Sequence, residues 1–254
     1  MFDKELQVAK DIALMAGKIM LEYFDGDQQK EHKDDGTDVT IADKKINSMA
    51  IEELTKHFDY GIVGEEESTA EYGDGYRWFC DPIDGTKAFV MGVPTSMFSL
   101  GLVIDGQPVL GVAYSPFLDK LYYGVRGNGS YCNDKKLQVS KESGLEGNFV
   151  AITSHLEDVM QDPIYVENLI KMGARPNSFC GAVYKGCLVA SGKFVGYSEP
   201  GTHAHDVAAI QVIIEEAGGK VTGLDGKPFD YTKPFRGVIA SNEIVHEEIL
   251  RALK

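Results

Sequence analysis

The segment from Asp81 to Thr86 reads Asp-Pro-Ile-Asp-Gly-Thr and carries the residue types of metal-assisted phosphate chemistry. Its two carboxylates follow a predicted strand, Trp78 to Cys80, and lie close enough in sequence to hold one cation. Gly85 and Thr86 then offer backbone N–H groups at the start of a predicted helical stretch, where an anion binds favourably. A capped turn would explain Asp84-Gly85 alone. The complete string instead predicts a cation site and an anion site side by side.

Glu65 is a third candidate ligand, because it directly follows a predicted strand that ends at Gly64. Its position favours a side chain that points into the crevice containing Asp81 and Asp84. A run of three glutamates is usually a solvated surface. We assign that role to Glu66 and Glu67 and not to Glu65.

Asp206 is the fourth candidate and lies in the first turn of a predicted helix. Residues 207–214 of that helix are apolar on nearly every side, which is typical of a buried helix. A carboxylate in the first turn is stabilised by the helix dipole, so a purely capping role explains Asp206 equally well from this pattern. A histidine zinc site is disfavoured, because His203 and His205 are two residues apart and do not share a helix face.

Four carboxylates in one crevice would raise one another's pKa values unless a counter-charge were bound. Ligand sets made only of oxygen select Mg²⁺, Mn²⁺ or Ca²⁺ over zinc. The chain has 25 Lys and Arg residues against 39 Asp and Glu, a formal net charge of −14. We therefore expect an anionic substrate to be received by metal and not by protein cations. The same balance provides no basic surface for nucleic acid or for an anionic membrane.

Composition places the chain among ordinary globular proteins, with 43% hydrophobic and 25% charged residues in 254. The N-terminus has charges of both signs and no apolar core of a signal peptide. Apolar stretches stay far below the roughly 20 residues that span a bilayer. The four cysteines form no CxxC pair and read as reduced thiols. We expect a cytoplasmic protein.

Hydrophobic periodicity divides the chain into an N-terminal half, residues 1–135, and a C-terminal half, residues 136–254. The first half predicts two helices packed on a largely antiparallel sheet, with Asp105-Gly106 as a hairpin turn. The second half alternates strands and helices, including predicted helices at 159–172 and 182–190. No linker separates the halves, so we expect one continuous core.

Three blocks together resemble the inositol monophosphatase family: Gly64-Glu65-Glu66, the Trp-x-x-Asp-Pro-Ile-Asp-Gly-Thr string at 78–86, and the His-Asp-Val-Ala-Ala stretch that opens 205–219. The resemblance runs from the first helix to the last. These enzymes are Mg²⁺-dependent, Li⁺-sensitive phosphatases in a superfamily that includes fructose-1,6-bisphosphatase. The resemblance implies a layered α-β-α-β-α sandwich of the α+β or α/β class, with an antiparallel sheet in the first half and a smaller mixed sheet in the second.

The resemblance also implies two to three Mg²⁺ ions per site, with Mn²⁺ as a substitute, and a set of ligands: Glu65, Asp81 and the Ile83 carbonyl for the first metal; Asp81, Asp84 and Asp206 for the second; and Glu65 shared with a weaker third. Phosphate is expected at the metals and at the N–H groups of Gly85 and Thr86. A metal-activated water would attack phosphorus in line without a phosphoenzyme.

Asp43, Thr86 and Glu65 are the implied catalytic residues. In the family interpretation Asp43 accepts a hydrogen bond from Thr86, which then orients the attacking water. A second interpretation is open, because Asp43 lies three residues after Thr40 and the two can form a helix capping box without any chemistry.

The substrate is implied to be a small phosphorylated metabolite bound by Asp84, Ala182 and Glu199, most simply inositol 1-phosphate or a similar polyol ester. His205 replaces a tryptophan found in many inositol phosphatases, and Lys87 replaces a common threonine. A lysine at this position resembles histidinol-phosphate phosphatases or 3′-phosphoadenosine-5′-phosphate phosphatases. These two activities are the alternatives. We further expect a homodimer.

Two other interpretations belong to different classes. Haloacid-dehalogenase phosphatases carry Asp-x-Asp-Gly-Thr, but their aspartates are two residues apart, whereas Asp81 and Asp84 are three apart. A regulatory binding protein on the same scaffold is the non-enzymatic alternative. The presence of every expected carboxylate argues against it.

Overall fold

The computed structural model describes residues 2–24, 26, 31–32, 38–153 and 163–254. The helices in this part of the chain are α1 (Asp3–Tyr23), α2 (Ile41–His57), α3 (Thr86–Val90), α4 (Pro163–Lys171), α5 (Ala182–Ala190), α6 (Ala204–Glu216) and α7 (His246–Ala252). The strands are β1 (Glu31–His32), β2 (Asp38–Val39), β3 (Gly61–Gly64), β4 (Tyr76–Asp84), β5 (Met97–Ile104), β6 (Gln107–Ser115), β7 (Lys120–Val125), β8 (Gly129–Cys132), β9 (Lys135–Lys136), β10 (Phe149–Ile152), β11 (Arg175–Ser178), β12 (Gly196–Glu199), β13 (Lys220–Thr222) and β14 (Val238–Ser241).

These elements stack in five layers around two sheets. Helices α1 and α2 pack on the outer face of the large sheet through one apolar cluster. Helices α5 and α6 lie between the large and the small sheet in a second cluster. Helices α4 and α7 cover the far face of the small sheet in a third. The predicted α-β-α-β-α sandwich is confirmed.

The large sheet has seven strands in the order β3 to β9 and is antiparallel except at one edge. Its β5–β6 hairpin turns at Asp105 and Gly106, which both adopt positive φ, as the sequence predicted. At the β3 edge of the sheet, β3 pairs with β4 in parallel. Parallel neighbours end at the same edge of a sheet, so the residues after Gly64 and at the end of β4 are brought together.

The small sheet is mixed and has five strands in the order β11-β10-β12-β14-β13. Strand β10 pairs in parallel with both neighbours, whereas β14 is antiparallel to β12 and β13. Sequence analysis missed β11, which reads Arg-Pro-Asn-Ser and has no apolar alternation. The predicted helix at 159–172 is confirmed over Pro163–Lys171, and residues 159–162 lie outside the described residues.

Helix α6 is buried on nearly every side because it contacts both sheets. Helix α6 lies so close to the large sheet that the facing residue of β5, Gly101, must be a glycine. A Cβ at Gly101 would lie 2.8 Å from the Ala208 Cβ and 2.8 Å from the Ala209 nitrogen. Contacts this short against helix backbone cannot be relieved by a rotamer change, so glycine fixes the depth at which the start of α6, with Asp206, sits on the sheet.

None of the helices in the described ranges has the length and apolar character needed to cross a membrane.

Gly101→Ala is expected to destabilise the protein by about 1–3 kcal/mol, since overpacking a tight contact costs energy of this order. Gly144→Ala is the matched control, because no atom lies within 4 Å of its added Cβ and its φ is ordinary. The control should be neutral or stabilise slightly by restricting the unfolded chain. Urea unfolding of the two variants measures the difference. Equal midpoints would contradict the close packing of α6.

Candidate active site

The end of strand β4 brings two aspartates to the edge of the large sheet. The register of β4 against β5 shifts between Asp81 and Asp84, which marks a bulge. A bulge bends the strand and re-aims its side chains. On the parallel neighbour, the Glu65 N–H donates to the Cys80 carbonyl at 3.0 Å, which fixes Glu65 beside this bulge.

Two glycines allow the loops of the site to close on one another. Gly85 precedes α3 with φ 79°, and Gly181 precedes α5 with φ 96°. A Cβ at Gly181 would lie 2.9 Å from Asp84 Oδ2, and one at Gly85 would lie 3.2 Å from the Gly181 Cα. Both positions therefore require glycine for conformation and for space.

Three of the predicted ligands meet at this edge: Asp81, Asp84 and Asp206 each offer a carboxylate oxygen, and these oxygens lie within 4.8 Å of one another. Asp206 reaches the group from the first turn of α6, where its Oδ2 accepts a 2.6 Å hydrogen bond from the His203 N–H. The predicted capping contact of Asp206 is therefore present in addition to its place in the cluster.

Asp84 is held by the amino end of α5. Its Oδ1 accepts from the Ala182 N–H at 2.8 Å, and its Oδ2 accepts from the Val183 N–H at 2.9 Å. The two donors orient the carboxylate and stabilise its negative charge. Ala182, a predicted substrate contact, thus touches Asp84 through its backbone amide.

Burial is the main cause of the titration behaviour of this cluster. Desolvation raises the pKa of Asp81 well above its usual value, and the neighbouring charges of Glu65 and Asp84 raise it further. The pKa of Asp84 rises to about 8, mainly through desolvation and then through Asp206. Desolvation also raises the pKa of Asp206 to about 7. Without a bound cation the three carboxyl groups therefore resist carrying their full negative charge.

The donor set fits a divalent cation. Asp81 Oδ1 is buried and accepts no hydrogen bond from any described residue. Such an orphaned acceptor is costly in a protein interior. Mg²⁺, Mn²⁺ and Ca²⁺ prefer oxygen ligands such as these carboxylates. Among the described residues, Asp81, Asp84 and Asp206 form the one group of three or more aspartate, glutamate, histidine or cysteine side chains that are close enough to hold a metal ion.

Glu65 and Ile83 lie beside the cluster without being part of its tightest group. Glu65 is half-buried, and its charge raises the pKa of Asp81 and Asp206. The Ile83 carbonyl accepts a 3.1 Å hydrogen bond from the Thr86 hydroxyl. The Glu65 carboxylate and the Ile83 carbonyl therefore lie next to the three aspartates.

Asp43 connects helix α2 to this environment. Its Oδ2 accepts from the Thr40 N–H at 2.8 Å, and the Thr40 hydroxyl accepts from the Asp43 N–H at 3.3 Å. The capping box is thus present. The Thr86 hydroxyl has one proton, which the Ile83 carbonyl at 3.1 Å and Asp43 Oδ1 at 3.4 Å share, so the second predicted contact is present as the longer branch of this hydrogen bond. Desolvation raises the pKa of Asp43 to about 7, against the opposing effect of the Thr40 hydrogen bonds.

Glu199 is buried, and its Oε2 has two donors. Lys185 Nζ donates at 2.7 Å and the Tyr197 hydroxyl at 2.6 Å. Sequence analysis missed Lys185 and Tyr197. The one available signal was a lysine in the otherwise apolar and small-residue stretch 182–190, where a solvent-exposed position was the simpler interpretation.

The two substituted positions differ in their surroundings. Lys87 is exposed in the short helix α3. His205 is half-buried, its Nε2 lies 3.9 Å from Asp206 Oδ2, and its ring stacks on that of His203 with centroids 5.6 Å apart. His205 therefore belongs to the rim of the carboxylate cluster, whereas the position of Lys87 leaves its side chain in solvent.

Comparison with known proteins finds similarity along the whole chain. The sequence model described as the inositol monophosphatase family matches residues 2–254. A fructose-1,6-bisphosphatase/inositol-1-monophosphatase of Aquifex aeolicus is 36% identical over 99% of this chain and 96% of its own length. The solved structure of extragenic suppressor protein suhB from Bartonella henselae has a TM-score of 0.91 at 29% identity, covering 99% of both chains. A solved IMPase/NADP phosphatase complexed with Mg²⁺ and phosphate has a TM-score of 0.84 at 26% identity, covering 97% of this chain and 94% of that one.

In EDTA, the stability of the protein is expected to fall as pH rises from about 4 to about 8. The raised pKa values of Asp43, Asp84 and Asp206 mean that the folded state binds more protons than the unfolded state in this window, so deprotonation disfavours folding. Burial lowers the pKa of His246 to about 4 and acts in the opposite direction, but it is one group against three. Added Mg²⁺ should stabilise the protein more at the upper end of the window, because a cation binds the deprotonated carboxylates.

Thermal unfolding with and without Mg²⁺ across this pH range measures both effects. Asp206→Asn should flatten the dependence in EDTA and reduce the response to Mg²⁺. A melting temperature in EDTA that rises steadily across the window would contradict the assignment of the cluster.

Proposed function

Because the chain belongs to the inositol monophosphatase family, we propose that it is a Mg²⁺-dependent phosphomonoesterase whose substrate is a small polyol phosphate such as inositol 1-phosphate. The observation that carries this proposal is the buried aspartate cluster, in which one oxygen of Asp81 has no hydrogen-bond donor in the described residues. The similarity to an IMPase/NADP phosphatase solved with Mg²⁺ and phosphate supports Mg²⁺ as the cation.

Asp81, Asp84 and Asp206 would hold the divalent cations, with Glu65 and the Ile83 carbonyl as additional oxygen ligands. The chemistry that Mg²⁺ would supply there is a lowered pKa of bound water and stabilisation of negative charge on phosphate and leaving-group oxygens. The chain itself fixes the ligands in advance, since the amides of Ala182 and Val183 orient Asp84 before any substrate binds.

The phosphate group would be received at the start of α3. The left-handed conformation of Gly85 lets the backbone turn sharply into this helix, and Ser96 donates to the Gly85 carbonyl at 2.9 Å to hold the turn. The amides of Gly85 and Thr86 then supply neutral donors to an anion. Backbone donors of this kind are useful for binding an anion in a chain whose net charge is −14.

Thr86 would orient the attacking water, and Asp43 would orient Thr86. A threonine hydroxyl can donate one hydrogen bond while accepting another. If the Thr86 hydroxyl donates to Asp43, its lone pairs are available to a water at phosphorus, and the in-line displacement needs no phosphoenzyme. Thr40 fixes Asp43 for this role through the other carboxylate oxygen.

Asp84→Asn is expected to lower kcat at least about a hundredfold, a loss near 3 kcal/mol, because it removes charge from the shared metal ligand. EDTA should abolish turnover of inositol 1-phosphate, and Mg²⁺ should restore it. Asp59→Asn, at an exposed aspartate outside the site, is the control and should keep wild-type turnover. Undiminished turnover in EDTA would exclude the metal-dependent mechanism.

Asp43→Asn separates the two roles of Asp43, since the asparagine carbonyl oxygen can still accept from the Thr40 N–H and complete the capping box. If Asp43 acts through Thr86, kcat falls at least about tenfold with little change in melting temperature. Thr86→Ala should cost a similar factor, and the double variant should cost little more than either single change. Independent losses that multiply in the double variant would show that the residues do not work as a unit.

A panel of phosphate esters with Mg²⁺ decides between the substrate alternatives. The panel includes inositol 1-phosphate, histidinol phosphate and 3′-phosphoadenosine 5′-phosphate. A kcat/KM at least about tenfold higher for histidinol phosphate than for inositol 1-phosphate would replace the polyol proposal. Trapping of a phosphoenzyme would instead favour chemistry of the haloacid-dehalogenase type, and absence of turnover on the panel would favour the regulatory role.

A further inference from the structure

Lys185 is the buried cation of this protein: no other lysine or arginine in the described residues is buried. Its Nζ donates to Glu199 Oε2 at 2.7 Å and lies 3.4 Å from the Ile152 carbonyl oxygen. Burying a lysine without need is costly, and a charged pair in the interior is seldom a source of stability. The pair therefore calls for a role other than holding the fold together.

The pair lies beside the aspartate cluster in the fold. Glu199 ends strand β12, and the next element along the chain is α6, whose first turn carries Asp206. Lys185 is on helix α5, whose first amides hold Asp84, so the pair and the cluster share one rigid element.

Glu199 is presented in a fixed orientation with its charge already paired. Lys185 and Tyr197 both donate to Oε2, which leaves Oε1 as the remaining acceptor of the carboxylate. A substrate hydroxyl loses little hydration when it donates to such a carboxylate. An ammonium group loses much more, and repulsion from Lys185 offsets its attraction to Glu199.

Resting on the function proposed above, we propose that Lys185 is a specificity-determining positioning residue, which pairs with Glu199 so that the site favours phosphate esters of neutral polyols over those that carry an ammonium group. Lys185 acts through Glu199 and does not itself touch the substrate. Tyr197 assists by fixing the same oxygen.

The test compares Lys185→Met, Glu199→Gln and the double variant with the wild type. For each protein, kcat and KM are measured on three esters. Inositol 1-phosphate carries hydroxyl groups, histidinol phosphate carries an ammonium group, and p-nitrophenyl phosphate carries neither hydroxyl nor ammonium groups. The ratio of kcat/KM for histidinol phosphate to that for inositol 1-phosphate is the readout, and p-nitrophenyl phosphate reports the phosphoryl chemistry common to both.

The two single variants should move this ratio in opposite directions. Lys185→Met leaves an unpaired negative charge and should shift the ratio at least about tenfold towards histidinol phosphate. Glu199→Gln leaves an unpaired positive charge and should shift it at least about fivefold towards inositol 1-phosphate. The double variant is neutral again and should return close to the wild-type ratio.

A purely structural role would change turnover of the three esters by one common factor and leave the ratio unmoved, which would overturn the proposal. Shifts of both single variants in the same direction would also overturn it. Should Lys185→Met fail to fold, Glu199→Gln and the charge-free double variant still decide, by a shift and its reversal. If the wild type hydrolyses none of the three esters, the proposed function itself fails, whereas hydrolysis with an unchanged ratio refutes the role of Lys185 alone.

Discussion

The cost of gathering carboxylates in a poorly solvated place is the constraint on which the rest of this structure depends. Asp81, Asp84 and Asp206 lie close enough to share a cation, and desolvation raises the pKa of each of them. In an isolated protein this arrangement is unfavourable. A cation bound between the carboxylates would offset this cost, which is the physical basis of the metal-dependent function proposed above.

Several separate, well-packed elements hold the carboxylates in place. A parallel strand pair at one edge of the large sheet brings Glu65 beside the bulge of β4. Helix α6, fixed at close range on the glycines of that sheet, delivers Asp206 from the opposite layer. Helix α5 orients Asp84 with two amides. Because each carboxylate is held by packed elements, the cluster is preorganised for the metal binding proposed above.

Polar groups around the cluster serve local structure and the site at once. Asp43 caps α2 with one carboxylate oxygen and accepts from Thr86 with the other. Asp206 accepts a capping hydrogen bond from His203 while it belongs to the cluster. A carboxylate has several lone pairs, so a capping role and a functional role are compatible. In the role proposed for it, the Lys185–Glu199 pair would likewise offer the substrate a fixed acceptor without adding an unpaired negative charge.

Most of the local chemistry could be predicted from the order of the residues. The Asp81–Thr86 string, the position of Glu65 after a strand and the apolar helix that carries Asp206 predicted an oxygen-ligand cation site, because strand ends, turns and helix starts are encoded by neighbouring residues. The layered sandwich followed from the family resemblance. The contacts that join these segments are visible only in the folded protein: the α5 amides that donate to Asp84, the two contacts of Asp43, and the burial of Lys185 against Glu199 and Tyr197. These contacts connect residues far apart in the chain, and a lysine carries no sign in the sequence of whether its partner will be water or a buried carboxylate.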